Sequence, residues 1–350
     1  MSAEGITPIP TRWVGPIRIS GDSVNEEVEV PLATYESPLW PSVGRGAKVS
    51  RLVEGGIRAT VVGEKMTRSV LLIAPDAQTA MQAVRTLRER GDELAEVVSG
   101  TSRHARLLET HEEIVGNLLF LRFALETGDA SGHNMVTRAA DALLQTVLSW
   151  DLGLEYGSVS GNYCSDKKAT AVNGVLGRGR SVVCDLLIPH EIVESTLRTS
   201  ASAIVDLVVR KNFVGSTIAG ALRSANAHYA NMLLAFYLAT GQDAANIVEG
   251  SQGITYAEER PEGLYFSCTL PHLIVGTVGN GKDLGHTAEA LERLGCADPS
   301  AEPGANSRRL AVLIAASVLC GELSLLAAQT NPGELMAAHV AMERRGGGTK

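Results

Sequence analysis

The chain has 350 residues, of which 45 % are hydrophobic and 20 % charged, and it carries a net charge of −8. That composition describes a globular protein with room for one large domain or two modest ones, and it excludes a disordered or collagen-like chain. The acidic balance excludes a general nucleic-acid binder while leaving room for a local basic pocket, and aromatics at 4 % leave Ala, Gly, Val and Leu to fill a close-packed core.

The opening MSAEGITPIP lacks the basic-then-apolar pattern of a secretory signal. Five scattered cysteines without a CxxC predict neither disulfides nor a zinc site. The most apolar run, 310–320, is too short to cross a bilayer, so the expectation is a cytoplasmic protein without a membrane span. Pro8, Pro10 and Pro16 predict extended chain and turns. Residues 28–33 read as a strand that delivers Tyr35-Glu36-Ser37-Pro38, and a helix started by Ser42 would carry Arg45 and Lys48 on one face. From Ser69 the texture changes. A strand at 70–74 leads into a helix opened by Pro75-Asp76, with Ala80, Val84 and Leu87 at helical spacing. A strand at 118–124, the loop GDASGHNM, a helix at 136–150 and a strand at 154–159 follow. This predicts an α+β fold in which a small ferredoxin-like domain, 69–159, is inserted into a large, mainly helical one. The large domain would comprise 1–68 and 171–350, joined to the small one by a polar loop at 160–170. Helical periodicity recurs near 191–208, 215–240, 283–295, 305–329 and 332–344, with strands at 181–188 and 263–268.

Several stretches carry candidate chemistry. SGNYCSDKK, 160–168, sets Asp166 beside Lys167 and Lys168, which suits gripping a carboxylate and stabilising a reacting oxyanion; a solvated surface loop fits the same residues. GDASGHN, 128–134, has the small residues that let backbone N–H groups reach a phosphate at a helix N-terminus, though an ordinary βα turn has them too. Arg103 could meet a second phosphate. GTVGNGK, 276–282, lacks the Ser or Thr that follows the lysine of a nucleotide-hydrolysing loop. Asp243 ends an apolar helix that also bears His228 and Asn231, downstream of Lys211, and reads either as a solvated carboxylate or as an acid held against a lysine. His339 could serve as a terminal proton donor. None of the eight histidines sits in a metal-binding pattern.

Read together and in order, SGNYCSDKK, GRGRSVVC (177–184), KNFVGS (211–216), NAHYAN (226–231), GQDAA (241–245), CTLPHLIVGTVGNG (268–281) and GELSLLAA (321–328) closely resemble 3-hydroxy-3-methylglutaryl-coenzyme A (HMG-CoA) reductase, in its class I form. The resemblance runs from about residue 6 to residue 339. It implies four-electron reduction of HMG-CoA to mevalonate and coenzyme A by two NADPH, for isoprenoid synthesis, in a homodimer or larger homo-oligomer with sites at the subunit interface. No metal, nucleic acid or membrane is implied. By the same resemblance Lys167 stabilises the oxyanion, Glu36 donates a proton from a buried setting, Asp243 tunes both, and His339 protonates the departing thiolate. Arg68, Ser160, Asp166, Lys168 and Lys211 would bind the acyl group, and Ser42, Arg45, Lys48, His228 and Asn231 would hold coenzyme A. Ser102, Arg103, Asp129, Gly132, Asn134, Val278 and Gly279 would hold the cofactor, with Ser102 and Arg103 favouring NADPH over NADH. The chain departs from the family pattern at Ser131 and His133, where methionines are usual, at Gly44 for Asn and at Lys48 for Arg. Two other readings are a non-catalytic acyl-CoA-binding homologue and a reductase of a related 3-hydroxyacyl-CoA.

Overall fold

The computed structural model describes residue 5, residues 7–337 and residue 340. Strands β1 (Thr11–Ser20) and β2 (Glu26–Ala33) pair antiparallel, and helix α1 (Leu39–Leu52) packs on β1. Strand β3 (Ile57–Ile73) is 17 residues long and belongs to two sheets. Its first part pairs with β1 and, at 58–65, with the later stretch 179–185; from Met66 to Ile73 it pairs with 118–125. The chain then forms α2 (Ala77–Glu89), α3 (Gly91–Thr101), β4 (Arg106–Val115), β5 (Leu118–Glu126), α4 (His133–Ser149) and β6 (Glu155–Ser158). With the second half of β3 this is a βαββαβ unit of strand order β4-β5-β3-β6, the ferredoxin-like arrangement expected. Asp76 caps α2 by accepting the Thr79 N–H at 2.7 Å, and Ala80, Val84 and Leu87 bury its inner face. Strand β4 escapes the sequence reading because it is an edge strand with no fully buried residue, so no apolar run marks it.

The rest of the chain builds a second core on the sheet β2-β1-β3-β7-β9-β8. Its later elements are β7 (Gly179–Pro189), α5 (Tyr229–Ala239), β8 (Ile254–Arg260), β9 (Gly263–Leu273), α6 (Gly285–Arg293) and α7 (Ala305–Gln329). This part thus holds two strands, β1 and β8, that the sequence reading leaves as turns or unassigned. β1 is interrupted by Gly15-Pro16, and β8 is a polar edge strand. The helical stretch expected at 215–240 is helix only at Ser216–Ile218 and in α5, because Gly220 and the polar 223–228 break it. Helix α1 begins at Leu39, so Ser42 lies inside it rather than starting it.

Helix α7 corrects the argument about membrane spanning. At 25 residues it is long and apolar enough to cross a bilayer, yet 310–324 is buried throughout, which makes it the central helix of a core. Glu322 in its middle is fully buried and needs partners. Helix α1 lies so close to α7 that a Cβ on Gly46 would overlap the Cys320 backbone. All five cysteines are buried and unpaired with one another.

Candidate active site

A cavity of about 670 Å³ lies where the two cores meet, lined from four loops and from β3. The first loop, 128–132, ends at Gly132, whose left-handed backbone (φ 94°) turns the chain into α4; a Cβ there would crowd Thr127 and Met66. The first turn of α4 lines the cavity, and the N–H groups of its first three residues, 133–135, have no partner inside the helix. The second loop, 276–282, is zipped to the first: Thr277 N–H donates to the Asp129 carbonyl at 2.8 Å, and Ala130 bridges to Val278. The third is Gly241-Gln242-Asp243, whose Gln242 Oε1 accepts the Gly276 N–H at 2.9 Å. The fourth is the stretch 160–170.

That fourth loop is held in a demanding backbone geometry. Asn162, Ser165 and Lys167 all have φ between 53° and 60°, a region L-residues seldom occupy without support. The support is buried and polar. Glu249, fully buried, accepts the Lys167 N–H at 3.1 Å and the Asn246 amide at 2.8 Å. Asn173 donates to the Ser165 carbonyl at 2.9 Å. Arg178, 2 % exposed, donates to Asp166 Oδ1 at 2.6 Å and to the Thr67 carbonyl of β3 at 2.6 Å. Burial alone would push the Asp166 carboxyl up, but His133, Arg178 and Lys167 overcome it and hold it well below the usual carboxylate range. Burial pushes the Glu249 carboxyl up.

Lys167 Nζ lies 2.7 Å from Asp243 Oδ2. The Asp243 hydrogen bond and charge raise the Lys167 ammonium above its ordinary value; burial works against the Asp243 carboxylate, but Lys167 lowers it on balance. Asp243 does not end α5. Left-handed Gly241 follows the helix, and Asp243 caps the next turn through the Ala245 N–H at 3.1 Å, so the unfavourable helix-end dipole does not apply. Lys282 donates to the Gly241 carbonyl, and burial pushes its ammonium down to about 8.

Of the residues singled out in the sequence, Arg68, Gly132, Asn134, Asp166, Lys167, Asp243, Val278 and Gly279 line this cavity. Ser160 and Lys168 are exposed on the same loop, Lys168 donating to the Asp166 carbonyl at 3.1 Å. Asp129 turns its carboxylate away, accepting the Gly304 and Ser307 N–H groups at the start of α7. Ser102 accepts the His104 N–H at 3.2 Å, and Arg103 lines a separate hollow with His104, Arg106 and Arg308.

A second group gathers elsewhere. Glu36 is exposed, not buried as its expected role requires, and accepts the Asn231 amide at 2.8 Å. Glu322 binds His228 Nδ1 at 3.1 Å, the Ala227 N–H at 2.6 Å and the Thr255 hydroxyl at 2.8 Å. Burial lowers the Lys211 ammonium, against the pull of Glu322. Ser42 and Arg45 both reach Ser324, Arg45 also pairing with Glu334 at 2.8 Å, while Lys48 is exposed. His228 stands just before α5, not on it. Between this group and the cavity stands α5, roughly 16 Å long, with Asn231 near one end and Asp243 beyond the other. His339 lies outside the described residues.

The sequence reading assigned no role to Arg178, Glu249, Glu322, Asn246 or Lys282. Glu322 was detectable as a lone acid in an apolar helix, which must find partners. Nothing local marks Glu249 or Arg178; their importance comes from the loop they meet in three dimensions.

A charged cavity between two cores, lined by a helix N-terminus and an ion-paired lysine, has the make-up of an anion-binding site. Residues 3–344 match the model of the hydroxymethylglutaryl-coenzyme A reductase family. The chain is 43 % identical over 343 residues to the 3-hydroxy-3-methylglutaryl-coenzyme A reductase of Aeropyrum pernix, covering 98 % of this chain and 81 % of that one. It is 44 % identical over 327 residues to the enzyme of the same name from Pyrococcus horikoshii, covering 93 % and 78 %. Its fold resembles that of a class II reductase from Streptococcus pneumoniae solved with NADPH, with a TM-score of 0.74 at 21 % identity over 94 % of this chain and 87 % of that one. The chain belongs to the hydroxymethylglutaryl-coenzyme A reductase family of oxidoreductases.

Proposed function

We propose that this protein reduces HMG-CoA to mevalonate and coenzyme A with two NADPH, in the mevalonate pathway. The observation that carries the reading is the Lys167–Asp243 pair facing the unpartnered N-terminus of α4 across one cavity. The residues present fit the cofactor: Gly132 and Gly279 leave backbone within reach, the first turn of α4 offers N–H donors, and Lys282 adds a cation. When bound, reduced nicotinamide supplies the hydride. Lys167, kept charged by Asp243, then faces the oxygen on which negative charge develops. Asp166 is held anionic and accepts a hydrogen bond from the acyl hydroxyl, while Arg68 offers a cation to the acyl carboxylate.

Glu36, His228, Lys211 and Asn231 complete the set from a second copy of the chain. A proton donor must come within hydrogen-bond reach of its target, directly or through one water, and α5 holds Glu36 far from Lys167 within one chain. The exposed apolar residues Val175, Val214, Ile218 and Leu222 favour such a contact, and so does the exposure of Glu36. The direct test is NADPH oxidation by the purified protein given HMG-CoA, with mevalonate identified as product. Lys167→Met and Glu36→Gln chains should each be inactive alone. Mixed and allowed to exchange, they should regain a fraction of the activity, because some hybrid dimers hold one intact site. Absence of turnover with HMG-CoA refutes the reaction, and absence of recovery on mixing refutes the shared site.

A further inference from the structure

His133 stands in the cofactor loop and reaches into the acyl-binding loop. It begins α4, one residue after the left-handed Gly132, and lines the cavity shared by both loops. Its Nδ1 lies 3.4 Å from the Ser131 hydroxyl. Its Nε2 is buried, makes no hydrogen bond, and stands 3.5 Å from Asp166 Oδ1. That oxygen already accepts Arg178 at 2.6 Å and lies 3.5 Å from the Asn246 amide, so three donors converge on Oδ1. With Nδ1 accepting from the Ser131 hydroxyl, Nε2 carries the hydrogen and points it at Asp166 Oδ1.

The charged groups that line the cavity with His133 come from every element around it. They are Asp166 and Lys167 on the 160–170 loop, Arg178 before β7, Asp243 after α5, Lys282 on the 276–282 loop and Arg68 on β3. Four cations thus meet two carboxylates in a cavity suited to anions. The carboxylate nearest His133 is Asp166, whose position the Arg178 contact to β3 already fixes. The loop that would cradle the cofactor is therefore tied, through one side chain, to the carboxylate assigned to the acyl group.

We propose that His133 is a positioning residue that couples cofactor binding to acyl binding through its contact with Asp166. This rests on the assignment of the cavity above. By linkage, each ligand then tightens the other by the same factor. A partly exposed pair of this kind is expected to give about a two- to five-fold effect.

The test is NADPH binding followed by the fluorescence of the reduced nicotinamide, with and without saturating 3-hydroxy-3-methylglutarate. In the unaltered protein the acid should tighten NADPH about two- to five-fold. His133→Gln keeps a donor and should retain the coupling. His133→Met loses the donor and should show none. Equal coupling in all three proteins overturns the inference alone. No saturable NADPH binding to the unaltered protein overturns it together with the cavity assignment, and loss of HMG-CoA turnover with coupling intact counts against the proposed reaction only.

Discussion

At the scale of single residues, the feature that organises the cavity is a lysine with unusual backbone geometry. Lys167 carries its charge to Asp243 but owes its left-handed backbone to Glu249, which grips its N–H from a fully buried position. Glu249 also faces Arg178 Nε at 4.0 Å, and Arg178 fixes Asp166, so one hidden carboxylate supports both functional groups of the loop. Glu249→Gln keeps an acceptor and removes the charge. A hydrogen bond to a charged group is worth about 1.5–3 kcal/mol, so kcat should fall about ten- to hundred-fold while the far-ultraviolet spectrum stays native. Steady-state kinetics with circular dichroism checks this. The lysines and the acid of SGNYCSDKK are legible in the sequence because they stand together. Glu249 is not, since 82 residues separate it from Lys167 and its own surroundings read as a short turn.

At the scale of elements, the sequence discloses what has a strong period and conceals what lies at an edge. Helix α7 matches its expected span because nothing interrupts its apolar run, and β5 and α4 fall close to theirs. Strand β4 alternates charge with half-buried residues, and β8 is polar at its exposed end, so neither shows the apolar pattern that marks a strand. What no pattern reveals is helix-to-helix distance. Gly46 lets α1 approach α7 until backbone meets backbone at Cys320. Gly46→Ala must push the two helices apart, and overpacking of this kind costs about 1–3 kcal/mol. A lower urea midpoint with an unchanged denaturant slope is the expected result. Ser42 and Arg45 ride on the same helix, so this variant should also weaken their contacts to Ser324.

For the molecule as a whole, stability should depend on pH through one buried histidine. His272 on β9 is fully buried, and burial, helped by the Arg223 charge, pushes its imidazole down to about 4 from the ordinary 6.5. Between those values the unfolded chain binds a proton that the folded one refuses. Stability is therefore complete above about 6.5 and falls as the pH drops towards 4, by up to about 3 kcal/mol. Asp166 acts in a lower window: its depressed carboxyl favours the fold until the pH falls below the usual carboxylate range. Urea midpoints at pH 7.5 and pH 5 should differ accordingly, and His272→Gln should flatten that part of the profile. The burial of every cysteine gives the same molecule a set of internal reporters. A thiol reacts with alkylating reagents as a thiolate, and burial raises the thiols of Cys184, Cys268 and Cys320, with Cys296 pushed up to about 12. Iodoacetamide should therefore leave the native protein unmodified over minutes. Cys164 sits between the left-handed Asn162 and Ser165, on a loop outside both hydrophobic cores, whereas the other four lie in the large core. In mild urea it should be alkylated first and with the weakest dependence on urea concentration, so that mass spectrometry of the modified peptides times the opening of the reaction loop separately from the unfolding of the chain.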